Sequence, residues 1–177
     1  ELLLGHTVNT DASYVARELS PIGINLLFAS TVGDNPARLR EALESALQRS
    51  DLVITTGGLG PTGDDLTKET IAETAGKKLV LHQESMDRIL DYFKGKVPGE
   101  TQNKQAMLPE GCTVFQNDNG TAPGCGFQTA QGKTVVMLPG PPSELIPMLK
   151  NYAVPFLTQD GKGAIVSKII RVFGLGE

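Results

Sequence analysis

Short apolar runs alternate along this chain with longer stretches whose apolar residues recur every three or four positions. The first kind reads as buried strands and the second as amphipathic helices, so the order predicts an α/β fold. In such a fold a mainly parallel sheet is covered by helices on both faces. Leu2, Leu3 and Leu4 read as the tail of a strand. Residues 9–19 form a helical pattern, with Val15 and Leu19 four apart. Residues 24–28, Ile-Asn-Leu-Leu-Phe, predict a strand. Asp34-Asn35-Pro36 supplies an N-cap followed by a first-turn proline, and Leu39, Leu43, Ala46 and Leu47 give the following helix its buried stripe. Residues 52–56 predict the central strand.

Residues 67–75 predict a short helix stopped by Gly76. Residues 83–93 predict another, with Met86, Ile89, Leu90 and Phe93 on one face. Residues 94–102 are polar, contain Gly and Pro, and read as a loop. Residues 112–115 predict a strand. Residues 124–129 and 133–138 flank Ala130-Gln131-Gly132 as a small β-hairpin. Pro139-Gly140-Pro141-Pro142 ends the hairpin stiffly, and Ser143 then serves as N-cap of a last helix. Pro147 is tolerable there because it lies near the start of that helix.

A length of 177 residues suits one domain with a core of its own. The net charge of −4 argues against a nucleic-acid binder, which would be basic. No apolar run approaches the roughly 20 residues that a membrane helix needs. Cys112 and Cys125 do not make a disulfide framework, and His6 and His82 have no metal-ligand spacing. Asn119-Gly120-Thr121 matches a glycosylation sequon, but nothing else points to secretion. The ends read as cut, which predicts a piece of a longer cytoplasmic protein. The domain is expected over residues 1–165. Residues 166–177 would begin a strand or linker toward a following region.

The segment richest in chemistry follows the strand at 52–56. Gly57-Gly58-Leu59-Gly60-Pro61-Thr62-Gly63 ends in Asp64-Asp65, and a helix begins near Thr67. Glycines let the backbone approach a bound group and aim N–H donors at it, which suits phosphate. Two carboxylates at the same place repel phosphate unless a cation lies between. The segment therefore predicts a metal-bridged phosphate or diphosphate ligand. It also matches the dinucleotide pattern G-x-G-x-x-G, but Pro61 has no N–H to give and the aspartates stand where a pyrophosphate would lie. Capping of the next helix by Asp64 or Asp65 is the plainer alternative, and it explains one carboxylate only.

Three other segments are expected beside it, since ligands of open α/β sheets bind beyond the carboxyl ends of the strands. They are Val32-Gly33-Asp34-Asn35, the Pro-Gly-Pro-Pro-Ser segment with Gly140 and Ser143, and the loop of Asn119, Gly120 and Thr121. Each has a bland reading as a cap, a stiff turn or a plain loop. No Ser–His or Cys–His pair is evident, so side-chain nucleophilic catalysis is not expected. Hard oxygen ligands are plentiful and favour magnesium-like chemistry.

These motifs resemble the N-terminal domain of the CinA, or competence/damage-inducible, family. The resemblance rests on Glu1-Leu2-Leu3-Leu4-Gly5, Asn9-Thr10, Val32-Gly33-Asp34-Asn35, Thr56-Gly57-Gly58-Leu59-Gly60-Pro61-Thr62 and Asp64-Asp65-Leu66-Thr67. It extends to Lys104-Gln105-Ala106, Leu108-Pro109-Glu110-Gly111, Asn119-Gly120-Thr121-Ala122-Pro123-Gly124 and Leu138-Pro139-Gly140-Pro141-Pro142-Ser143-Glu144-Leu145. It implies the three-layer sandwich of the MogA/MoaB-like molybdopterin-binding superfamily. In the cofactor-making branch the glycine turn ends in Arg-Asp, and that aspartate serves magnesium-dependent adenylyl transfer to molybdopterin. Asp65 matches it, while Asp64 replaces the arginine and reverses its charge.

In the CinA-type branch the resemblance implies metal-dependent hydrolysis of ADP-ribose to AMP and ribose 5-phosphate. The expected roles follow. Asp64, Asp65 and Asp34 hold a divalent cation, Mg2+ first among candidates, that activates water for in-line attack, with Asp34 alternatively orienting that water. Gly57, Gly58 and Gly60 cradle phosphate oxygens and Thr67 adds a hydroxyl. Asn9, Asn119, Gly120, Thr121, Gly140 and Ser143 grip phosphate or sugar. The alternatives are binding or adenylylation of a molybdopterin-like pterin, and a non-catalytic nucleotide-binding or dimerisation module. The resemblance also implies a homodimer, and places the family's nicotinamide mononucleotide deamidase in a separate C-terminal domain.

Overall fold

A computed structural model describes residues 3–93 and 100–159. The chain begins with helix α1 (Asp11–Leu19), a 3-10 turn (Ser20–Ile22), helix α2 (Pro36–Arg49) and strand β1 (Leu52–Thr56). Helix α3 (Thr67–Thr74), strand β2 (Leu79–Leu81), helices α4 (Gln83–Tyr92) and α5 (Glu100–Ala106), and strand β3 (Met107–Pro109) follow. Strands β4 (Thr113–Phe115), β5 (Gly124–Gln128) and β6 (Thr134–Leu138) precede α6 (Pro142–Met148). A π-helical turn (Leu149–Ala153) then leads into α7 (Val154–Thr158).

The main sheet runs β1-β6-β5-β4, and β2 pairs with β3 in a small antiparallel sheet of its own. β1 and β6 are parallel, in register from Leu52 with Thr134 to Thr56 with Leu138. β5 and β6 are the expected antiparallel hairpin, and β4 lies antiparallel to β5. The hairpin turn closes through Gly132, whose φ of 76° and N–H to the Thr129 carbonyl suit a residue without a Cβ.

Side chains alternate across β6 and so divide the core in two. Val136 and Leu138 face α1, α6 and the π turn, with Val15, Leu19, Leu145 and Leu149. Val135 and Met137 face α2 and α3, with Leu43, Val53 and Ile71. Helices on both faces of the sheet make the expected three layers. Both cysteines are free thiols, and Cys125 belongs to the second core.

Several elements differ from the sequence expectation. Residues 24–28 join no ladder, and Leu26, Leu27 and Phe28 are exposed. β1, expected at the centre, is an edge strand of the sheet among the described residues, and a cavity lies between it and residues 24–28. The loop expected at 94–102 gives way to α5 from Glu100, and residues 94–99 lie outside the described residues. β2 and β3 are strands too short for periodicity to reveal, and Leu90 on α4 is exposed. The helix after Pro-Gly-Pro-Pro is capped at Pro141, so Ser143 is not its N-cap. The expectations for residues 160–177, including the strand or linker from 166, lie outside the described residues. No helix among the described residues is long and apolar enough to cross a membrane.

Candidate functional site

The parallel pairing of β1 with β6 brings their carboxyl ends side by side, and the two loops leaving them touch. Gly57 donates its N–H to the Leu138 carbonyl at 3.0 Å. A Cβ on Gly140 would stand 3.4 Å from Gly57 Cα, so backbone meets backbone where the loops cross. Gly57 and Gly58 have φ of 84° and 69°, in the left-handed region that favours glycine. A Cβ on Gly58 would overlap Thr67 Oγ1, and one on Gly60 would overlap the Asp65 carboxylate. Leu59 is buried and pins the loop into the second core.

Two expected roles are corrected by these bonds. The Gly57 N–H is spent on Leu138, so it does not face a ligand. The amides of Gly58 and Gly60 donate to no protein group among the described residues. Asp65 does not cap α3, whose N-cap is Leu66 without a side-chain bond. Its Oδ2 instead accepts from Thr62 N at 3.0 Å and Thr62 Oγ1 at 2.6 Å, which folds the loop back on itself. Asp64 is exposed beside it.

Asp34 precedes Asn35, and it is Asn35 that caps α2 by accepting from Arg38 N at 3.1 Å. Asn9 donates to Thr31 Oγ1 at 3.3 Å, and Asn9, Thr56 and Thr67 line one end of the same cavity. Among the described residues no three His, Cys, Asp or Glu side chains are gathered to hold a metal ion. Asp34, Asp64 and Asp65 are thus not gathered as one cluster of three carboxylates.

The Asn119 loop is braced by its own neighbours. Asn117 is buried and donates to the Ala122 carbonyl at 2.9 Å and to Glu144 Oε2 at 2.6 Å, while its Oδ1 accepts from Asn119 N. Asn119 Nδ2 reaches the Ser143 carbonyl at 2.8 Å, which joins this loop to the start of α6. A Cβ on Gly120 would overlap the Glu144 carboxylate. Gly120 and Thr121 line a second cavity of about 410 Å3 with Arg88 and Tyr92. Of the expected site residues, Asn9 and Thr67 line the first cavity, Gly120 and Thr121 line the second, and the glycine loop, Gly140 and the three aspartates line neither.

Two lysines that sequence reasoning gave no role tie the glycine loop to α5: Lys104 holds the loop, and Lys68 holds the end of α5. Lys68, 2% exposed, donates to the carbonyls of Lys104 and Gln105 at the end of α5. Those carbonyls have no partner inside the helix, and a cation suits that end of its dipole. Burial pulls the Lys68 pKa down from 10.5 to about 8, with the Lys104 charge adding to the drop and Glu69 opposing it. Lys104 in turn donates to the carbonyl of Thr62 at 3.0 Å and to that of Asp65. It also lies 3.7 Å from Glu69, whose Oε2 is buried without a partner. A lone lysine in a short amphipathic helix carries no signal of such burial, so only the Lys104-Gln105-Ala106 motif hinted at this strut.

Comparisons with known proteins agree along the whole chain. The family model described as "Probable molybdopterin binding domain" matches residues 1–159. A protein of Acetivibrio thermocellus named as competence-damage inducible is 56% identical, with 100% of this chain and 43% of that protein covered. A CinA-like protein of Desulfovibrio desulfuricans is 53% identical, with 100% and 42% covered. The chain thus spans less than half the length of these curated relatives. Among solved structures, CinA of Thermoplasma acidophilum, described as of unknown function, superposes with a TM-score of 0.79 at 35% identity, covering 86% of this chain and 90% of that one. The molybdopterin biosynthesis enzyme MoaB of Thermus thermophilus superposes at 0.57 and 17% identity over 93% and 92%, a likeness of fold.

Proposed function

Since this chain belongs to the molybdopterin-binding domain family and to its CinA-like members, we propose that it binds a phosphorylated pterin or nucleotide at the crossing of the Gly57 and Gly140 loops. One observation carries the reading. The amides of Gly58 and Gly60 lie at the carboxyl end of β1, in a loop that Gly140 approaches with bare backbone. Backbone donors and the absence of Cβ atoms suit a phosphate group. In this reading Thr67 adds a hydroxyl at the loop's far end. Lys104 holds the loop's Thr62 and Asp65 carbonyls, and Lys68 braces the end of α5 that carries Lys104.

A direct test is calorimetric titration with pyrophosphate, ADP-ribose and a phosphorylated pterin, each with and without Mg2+. At least one should bind, and Gly60→Ala should weaken it by about tenfold or more, as expected for losing a preorganised site. If no ligand binds the folded protein, or Gly60→Ala binds as well as the parent, the loop is not the site.

A second reading has its own observation. Asp64 stands exposed beside the cradle, next to Asp65, where an anion-holding arginine would suit pterin binding better. In that reading the domain hydrolyses the diphosphate of ADP-ribose to AMP and ribose 5-phosphate, with a divalent cation offsetting the aspartate charge. Asp64→Arg should then abolish AMP release while ADP-ribose binding without metal is kept or strengthened, since a guanidinium forks onto phosphate. Normal turnover by Asp64→Arg would sink the hydrolytic reading and leave the binding reading standing. A homodimer is proposed on the family resemblance alone, and sedimentation at increasing concentration tests it.

A further inference from the structure

The two cysteines, far apart in any motif, are brought together on one face of the main sheet. β4 pairs with β5 so that Val114 stands opposite Cys125 and Thr113 opposite Gly126. Alternation puts Cys112 on the same face as Val114, which makes it a diagonal neighbour of Cys125. Both side chains accordingly reach the second core, Cys125 as a buried member and Cys112 packed against it. The two thiols are hydrogen-bond partners. Cys125 has no exposed surface, whereas Cys112 is partly open to solvent.

A cation stands beside the pair. Lys77 donates to the Glu110 carbonyl at 2.8 Å, two residues before Cys112. Its Nζ lies 5.1 Å from the centre of the Phe127 ring, and Phe127 follows Cys125 on the same face of β5. The hydrogen bond from Cys125 holds the Cys112 thiol below its ordinary pKa against the pull of burial, and the Lys77 charge adds to the effect. The same hydrogen bond, with burial, pushes Cys125 well up. The sulfurs are therefore unlike: one is an accessible nucleophile and the other a shielded thiol.

We propose that Cys112 and Cys125 close into a reversible disulfide on exposure to a hydroperoxide, with Cys112 as the attacking thiol and Cys125 as the resolving one. The Cys112 thiolate attacks one peroxide oxygen. An S–O bond forms, the O–O bond breaks, and the leaving oxygen takes a proton to become water or an alcohol. The Cys125 sulfur then attacks the Cys112 sulfenic acid. The S–S bond forms, the S–O bond breaks, and the hydroxyl leaves as water with the proton from Cys125. The thiols lose two electrons in all and the peroxide gains them. Cys112 lies just ahead of β4, whose ladder begins at Thr113, and its N–H bonds the Pro109 carbonyl across Gly111, with φ of 73°. Its sulfur can approach Cys125 by a shift of this turn rather than of a strand. The same turn leaves β3, so the bridge would clamp the small sheet to the main one. The proposal is independent of which ligand the glycine loop binds.

The test treats the whole chain with hydrogen peroxide, unfolds it, alkylates it with iodoacetamide and measures the intact mass. The parent should lose two hydrogen atoms and take up no alkyl group, and dithiothreitol should restore both alkylation sites. Without peroxide, iodoacetamide should label Cys112 in the folded chain and spare Cys125. Cys125→Ala removes the resolving thiol, so its Cys112 should accumulate as a sulfenic acid that dimedone captures. Cys112→Ser should leave Cys125 a free thiol after the same treatment. If either variant fails to fold, the parent alone decides. Two alkylatable thiols after peroxide, or a dimedone adduct in the parent in place of the bridge, overturns the proposal. So does a disulfide that links two chains on a non-reducing gel.

Discussion

Lys68 is an ammonium group held almost entirely out of water, where two helix-end carbonyls accept its hydrogen bonds. Burial disfavours its charged form, which is why its pKa falls to about 8. The sign of the consequence follows by linkage. Below pH 8 both folded and unfolded chains carry the proton, and the full cost of burying the charge is present. As pH rises from about 8 toward the unfolded value of 10.5, the folded chain loses its proton first and the cost is relieved. The neutral amine keeps its hydrogen bonds. Relative to Lys68→Met, the parent should therefore gain stability between pH 8 and pH 10. Urea midpoints for both proteins across that range check it, and a constant difference would mean that Lys68 is not titrating there.

Among the elements, α5 and the glycine loop act as one unit. Lys104 spans them, and Glu69 on α3 stands near its ammonium. Lys104→Met keeps the aliphatic stem and removes three donors, so α5 should stay folded while the loop loses its anchor. Loss of stability should be about 1–2 kcal/mol, the scale of hydrogen bonds made by a charged donor, and ligand affinity should fall more than stability suggests. Paired denaturant and titration measurements on Lys104→Met separate the two.

The sequence made the glycine loop legible because its residue types are rare in combination and its position after an apolar run is fixed. The helices α1, α2, α3 and α4 were legible from spacing, within a residue or two at their ends. What stayed hidden depends on partners distant in the chain. Gly57 resembles Gly58 in sequence, yet its amide is committed to Leu138. Asp65 reads as a cation ligand, or more plainly as a helix cap, and neither reading foresees that Thr62 claims its carboxylate. The run at 24–28 has the composition of a strand, and no local signal says whether a neighbour will be within reach.

At the scale of the molecule, the last described helix is seated on a bare spot of the sheet. Gly126 lies at the middle of β5, where a Cβ would stand 2.6 Å from Phe156 Cε1 and 2.9 Å from Phe115 Cζ. The two rings meet edge to face at 5.6 Å, and Tyr152 stacks on Phe115 at 6.3 Å. Gly126→Val would force this aromatic group off the sheet, at a cost of about 1–3 kcal/mol typical of overpacking. Its thermal denaturation should show that loss. An unshifted Tm would mean that α7 yields without consequence.

The crossing of the Gly57 and Gly140 loops has a consequence for how such a domain can diversify. In the proposed reading its anion-facing surface is main chain, which every sequence shares and no substitution can retype. Change at the glycines can only obstruct. New specificity must then arise at the rim, from side chains such as Asp64 that alter charge without touching the frame, so that closely similar folds can come to serve chemically unlike ligands.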